Sequence, residues 1–347
     1  MYGKAILSMS VGRASAHSME SKLDAIADAG FEAIELFFED LEFLAKSYPG
    51  GFTYENQVKA AHAIRKLCDD RGIQILSLQP FIFYEGLLDR AAHETHIAKL
   101  KVWFELLKIL GADLIQIPTN FLPSGITGDR DIIVQDLVEV ADLGLQQEPA
   151  VRFVYEGMAW GTFIDTWEEV WDIVQRVDRP NFGILLDTFQ IPAREWADPS
   201  AADGRLEGGE ERLNASLDRL VATVDLSKVF YIQIGDAELP STPVTEEHEW
   251  HLPGQPARMS WARNARTFND DADIPGYLPI TQCVDAFINR LGFKGWVSCE
   301  VFSRFLAEPD PSVPQRFAKR ASDGWHKLFD NDVMVEVKTN KGGSVSI

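Results

Sequence analysis

Short apolar runs ending in a polar residue recur along the chain and alternate with segments whose apolar positions repeat at helical spacing. Eight runs predict strands: KAILSMS (4–10), FEAIELFF (31–38), IQILSLQPF (73–81), ADLIQIP (112–118), VRFVYEG (151–157), FGILLD (182–187), KVFYIQIGD (228–236) and KGWVSCEVF (294–302). Between them, helices are predicted over 21–30, 55–72, 93–111, 130–147, 165–177, 210–224, 280–292 and 313–329. Within 93–111, Ile97, Leu100, Phe104 and Leu107 mark one buried face. Runs this continuous suit strands covered on both faces, as in a parallel sheet. Strict alternation implies parallel strands with right-handed crossovers. A count of eight favours one closed (β/α)8 TIM barrel, of class α/β, over residues 1–330. No GxGxxG or phosphate-loop pattern follows the first strand, which disfavours a nucleotide-binding open sheet. Residues 235–279 form a long insertion after the seventh strand, expected as a lid lacking obvious regular structure. Residues 331–347 are polar and read as a tail.

Functional residues of such a barrel sit at the C-terminal ends of its strands. Glu35, Gln79, Gln116, Glu156, Asp187, Gln233 and Glu300 all fall there. A carboxylate closing a buried strand needs a partner. For a lone aspartate the bland reading is a helix N-cap. Repetition shifts the balance: Glu156, Asp187, Gln233 and Glu300 end four successive strands and read as one site. Three carboxylates and an amide are hard oxygen donors, suited to one divalent ion such as Mg²⁺, Mn²⁺ or Co²⁺. Such an ion polarises a ketone or hydroxyl oxygen and steadies an adjacent enolate.

Composition narrows the partners. Of 347 residues, 33 are Lys or Arg and 53 Asp or Glu, a net charge of −20 that disfavours nucleic acid and anionic membranes. Three scattered cysteines, with neither zinc spacing nor a disulfide framework, and an N-terminus lacking a signal-peptide pattern, suggest a cytoplasmic enzyme acting on a small molecule. A homo-oligomer is compatible with the sequence, which does not set the state of assembly.

Residues 4–329 resemble the xylose-isomerase-like barrel superfamily, in which strands five to eight supply Glu, Asp, His or Gln, and Glu to a metal. Glu156, Asp187, Gln233 and Glu300 match that order. Within it the chain is most similar to fungal 3-dehydroshikimate dehydratases, through residues 8–41, LQPF and YEG in 78–86, 101–121, LDTF (186–189) and GQPARMSWARNAR (254–266). The resemblance implies a metal-dependent lyase that removes water from a cyclic keto acid to give protocatechuate. It implies substrate contact by Arg266. It also supplies a catalytic histidine where this chain has Gln190, and an arginine where it has Ile82. Glutamine cannot titrate near neutral pH. Gln190 therefore marks the catalytic position without a base, and the preferred substrate is expected to have drifted from 3-dehydroshikimate. His17, and His248 or His251 in the lid, are the candidate replacement bases. Glu35, Gln79, Gln116 and Arg258 are expected to bind substrate, with Arg263 weighed as a solvated cation. A sugar isomerase or epimerase would use the same metal. A catalytically silent ligand-binding descendant is the remaining alternative.

Overall fold

The computed structural model describes residues 2–329; the predicted tail at 331–347 lies outside them. Eight parallel strands close into a barrel in the order β1-β8-β7-β6-β5-β4-β3-β2. They are β1 (Gly3–Leu7), β2 (Ala33–Phe37), β3 (Gln74–Gln79), β4 (Leu114–Pro118), β5 (Arg152–Glu156), β6 (Phe182–Asp187), β7 (Val229–Ile234) and β8 (Trp296–Cys299). Each matches a predicted run: β6 coincides with it, β1 begins one residue earlier and stops at Leu7, and the others are shorter than predicted.

Two cores hold the barrel. Ala5, Ala33, Leu76, Leu114, Val154, Leu185 and Tyr231 fill the interior, while a larger cluster packs the outer strand faces against the helices. Successive side chains alternate between these faces. Val154 and Glu156, Leu185 and Asp187, and Tyr231 and Gln233 therefore point to the same interior, each polar residue one layer above an apolar one. This layering explains the unbroken apolar runs: both faces are dry, and polarity appears only where the interior meets the upper rim.

Local chemistry sets the helix ends. Asp89 caps Arg90–Leu110 by accepting from the N–H groups of Ala91 and Ala92, and Gly111 ends it at φ 68. Thr166 caps Trp167–Val177. Three helices depart from expectation. Phe38–Ser47 follows β2 directly, so the run read as one strand to residue 38 breaks into helix at that residue. A short helix spans Gln190–Glu195. The lid carries the helix Ala257–Ala265, and its ends, Asp236–Ala237 and Arg266–Thr267, pair as an antiparallel ribbon. The lid is thus more ordered than its polar sequence suggests. Among the described residues no helix is long and apolar enough to cross a membrane.

Candidate metal centre and substrate cavity

Glu156 and Asp187 are the last residues of β5 and β6, Gln233 lies opposite Asp187 in the β6–β7 register, and Glu300 follows β8. One carboxylate oxygen from each of Glu156, Asp187 and Glu300 lies within 4.8 Å of the others, and all three residues are buried. Gln233 donates through Nε2 to Glu35 (3.0 and 3.1 Å) and to Glu300 Oε1 (2.9 Å). Its Oε1 is buried and has no partner. The amide is thereby oriented with its acceptor free beside three carboxylates, an arrangement that suits a hard divalent cation.

The electrostatics agree. Burial pushes the Asp187 carboxyl up to about 7 against the opposing pull of Arg266. Burial and then the Glu300 charge raise Glu156 well above the usual range. Carboxylates packed like this favour their neutral forms unless a cation is among them. Arg266 supplies one positive charge. It is 2% exposed, donates to Glu300 (2.7 Å) and Asp187 (3.0 Å), and stacks over Phe189 with 4.5 Å to the ring centroid.

Above this floor opens a cavity of about 420 Å³. Gln79, Gln116, Glu156, Gln190, Arg266 and Glu300 line it. Gln116 donates from Nε2 to Glu156. Gln190 accepts the Ala159 N–H at 2.9 Å through Oε1 and turns Nε2 toward Glu156 at 3.5 Å. The glutamine therefore braces a loop and a carboxylate. Ile82 also faces the cavity.

Five expected substrate or catalytic residues lie elsewhere. Glu35 is fully buried beneath the floor, where it accepts from Gln79 (2.6 Å), Tyr231 (2.6 Å) and Gln233. It orients the cavity amides from below, and burial followed by the Glu300 charge raises it to about 7. Arg258 points away from the cavity: Nε donates to the Ala193 carbonyl (2.7 Å) and Nη2 to that of Ala197 (3.0 Å), tying the lid helix to the end of Gln190–Glu195. His17 is 5% exposed and packs against Gly12 outside the lining, where burial lowers its pKa. His248 is likewise outside, with Nδ1 accepting from the Trp250 N–H, and His251 does not reach the lining either. Among the described residues no histidine lines the cavity.

Sequence reasoning missed Arg13, Glu39, Phe121 and Trp160, all of which line it. Arg13 comes from the loop after β1 and Glu39 from the first turn of Phe38–Ser47, and they pair through one guanidinium edge, Nε and Nη2 (3.0 and 2.5 Å). Their position just past strand ends was the available signal. Pairing across segments has no sequence period.

The profile of the xylose isomerase-like TIM barrel family matches residues 23–319. The chain is 48% identical over 335 residues to a 3-dehydroshikimate dehydratase of Neurospora crassa, covering 94% of this chain and 93% of that one. It is 30% identical over 296 residues to a 3-dehydroshikimate dehydratase of Pseudomonas aeruginosa, covering 84% of this chain and 37% of that longer protein. Among solved structures, the IOLI protein with a zinc atom superposes with a TM-score of 0.68 at 18% identity, covering 94% of this chain and 99% of that one.

Proposed function

Because the chain belongs to the xylose isomerase-like TIM barrel family, we propose that it is a dehydratase that converts 3-dehydroshikimate to protocatechuate with the aid of one divalent ion. The 48% identity to the Neurospora crassa enzyme over nearly the whole chain carries the reaction. The free Gln233 Oε1 beside the carboxylates of Glu156, Asp187 and Glu300 supports the ion. The donors suit Mg²⁺, Mn²⁺ or Co²⁺. When bound, the ion polarises the substrate ketone and lowers the cost of removing the adjacent proton.

The protein's own groups do the rest. Gln79 and Gln116 present amides to the hydroxyl-bearing ring. Glu35 holds Gln79 and Gln233 in place from below. Arg266 balances the charge of Asp187 and Glu300 while facing the cavity. Phe121 and Trp160 give the walls apolar ring surface. Gln190 fixes Glu156 and the loop at Ala159, so the proton passes to a group other than imidazole. A net charge of −20 and three buried free thiols fit a cytoplasmic enzyme of small molecules that binds neither nucleic acid nor membrane.

The test is direct. Purified protein with Mg²⁺, Mn²⁺ or Co²⁺ is mixed with 3-dehydroshikimate, and the ultraviolet absorbance of the aromatic product is followed. Metal-dependent appearance of protocatechuate is expected; its absence with all three ions overturns the assignment.

A further inference from the structure

The lining holds three cations, and two are already committed. Arg266 is bound to Asp187 and Glu300. Arg13 is bound to Glu39. Arg263 also lines the cavity, one turn before Arg266 on the lid helix, and among the described residues it makes no ion pair and no hydrogen bond. Its side chain is exposed. Partial burial of its guanidinium lowers its pKa, and the charge of Arg13 lowers it further. Two guanidinium groups from different segments thus line the cavity, and one of them has all its donors free.

The floor offers a substrate carboxylate no net attraction. Three carboxylates against one guanidinium and one divalent ion sum to zero charge, so a substrate carboxylate gains nothing there and is repelled at close range. Ile82 offers it neither charge nor donor. Resting on the dehydratase reading, we propose that Arg263 binds the substrate carboxylate in the cavity that the Arg13–Glu39 pair also lines. A guanidinium fork receives a carboxylate through two parallel hydrogen bonds. The ring then enters with its carboxylate outward and its ketone toward the floor, an orientation Ile82 favours by packing on the ring face.

The experiment compares two probes that differ only in the carboxylate, protocatechuate and catechol, titrated into the metal-loaded protein by calorimetry. The unmodified protein should prefer protocatechuate. In Arg263→Gln that preference should fall roughly 10- to 100-fold while catechol affinity stays constant, and Arg263→Lys should restore part of it. KM for 3-dehydroshikimate should rise more than kcat falls. A preference unchanged in Arg263→Gln overturns the inference. The exposed position of Arg263 makes unfolding of the variant a minor hazard. Independently of any variant, the unmodified protein should lose its preference as salt is raised, and a salt-insensitive preference also counts against the inference. If the unmodified protein forms no protocatechuate, the assigned reaction fails, whereas the binding comparison still decides the role of Arg263.

Discussion

Replacing Gln233 by Glu tests the reasoning about the metal centre most sharply. The change keeps side-chain length but removes the Nε2 protons that now bridge Glu35 and Glu300 at 2.9–3.1 Å. A carboxylate oxygen in that place sits about 3 Å from two others. At an effective dielectric of about 20, each such contact costs about 332/(20 × 3), or roughly 5.5 kcal/mol. One contact alone is worth about 4 pK units, moving the introduced carboxyl from about 4.3 to about 8. It is therefore protonated near neutral pH, and an incoming cation must displace that proton. Calorimetric titration of Gln233→Glu with Mn²⁺, in buffers of different ionisation enthalpy, should show about one more proton released than for the unmodified protein. Between pH 6 and 8 its apparent affinity should climb roughly 50-fold more steeply than that of the unmodified protein, because the deprotonated fraction rises from about 1% to about 50%. Equal proton release and equal pH slopes would show that Gln233 is not held among these carboxylates, and the proposed ligand set would fall.

Other expectations follow from the same contacts. Gln190→His places a titratable imidazole beside Glu156 and should raise kcat for protocatechuate formation by about 10²-fold, the low end of general-base catalysis; no increase in steady-state assays would show that proton removal is not limiting. Glu85 is buried, with Oε1 accepting from the Asn120 N–H and the Tyr155 hydroxyl, and burial pushes it up to about 8. Its folded pKa exceeds the unfolded value, so its stabilising contribution is full below about 4.5 and is lost as pH rises through about 8. Unfolding free energies of the unmodified protein from denaturant titration should therefore fall relative to Glu85→Gln from pH 5 to 8, by up to about 1.4 kcal/mol per pH unit, and parallel curves would refute the shift. Lys22 is fully buried against Asp40 (2.5 Å) and the Gly12 carbonyl (2.9 Å). Lys22→Met strands the carboxylate and should cost about 3–5 kcal/mol in chemical denaturation, whereas Lys22→Met with Asp40→Leu should cost much less.

The barrel and the proposed ligands were legible because both obey short-range rules. Strands buried on two faces read as apolar runs, and a polar residue closing each run has few structural reasons to be there. Glu35 was grouped with them although Leu36 and Phe37 still follow it in β2, and a residue two positions short of the strand end lies beneath the cavity rather than in its lining. Arg258 was grouped with Arg263 and Arg266 by spacing alone. A helix spreads three such residues around its circumference, and the direction each faces depends on what the lid packs against. The helix Phe38–Ser47 was hidden because FEAIELFF runs apolar across the junction. His17 looked free in a polar loop, but packing from residues nearly three hundred positions later buries it, with Glu308 and Asp310 acting on it.

The way the lid is fastened bears on how molecules come and go. The segment is anchored at its base by the ribbon Asp236–Ala237 with Arg266–Thr267, by the Arg266 N–H to the Phe302 carbonyl, by Trp261 Nε1 to the Glu238 carbonyl, and by Arg304 to Glu238. The guanidinium at the end of its helix is also the counter-charge of Asp187 and Glu300. Swinging this cover aside would withdraw that charge from the floor and break the clasp with it. Opening the lid therefore carries an electrostatic cost at the floor as well as the loss of its clasps, which favours a cover that stays seated while molecules exchange.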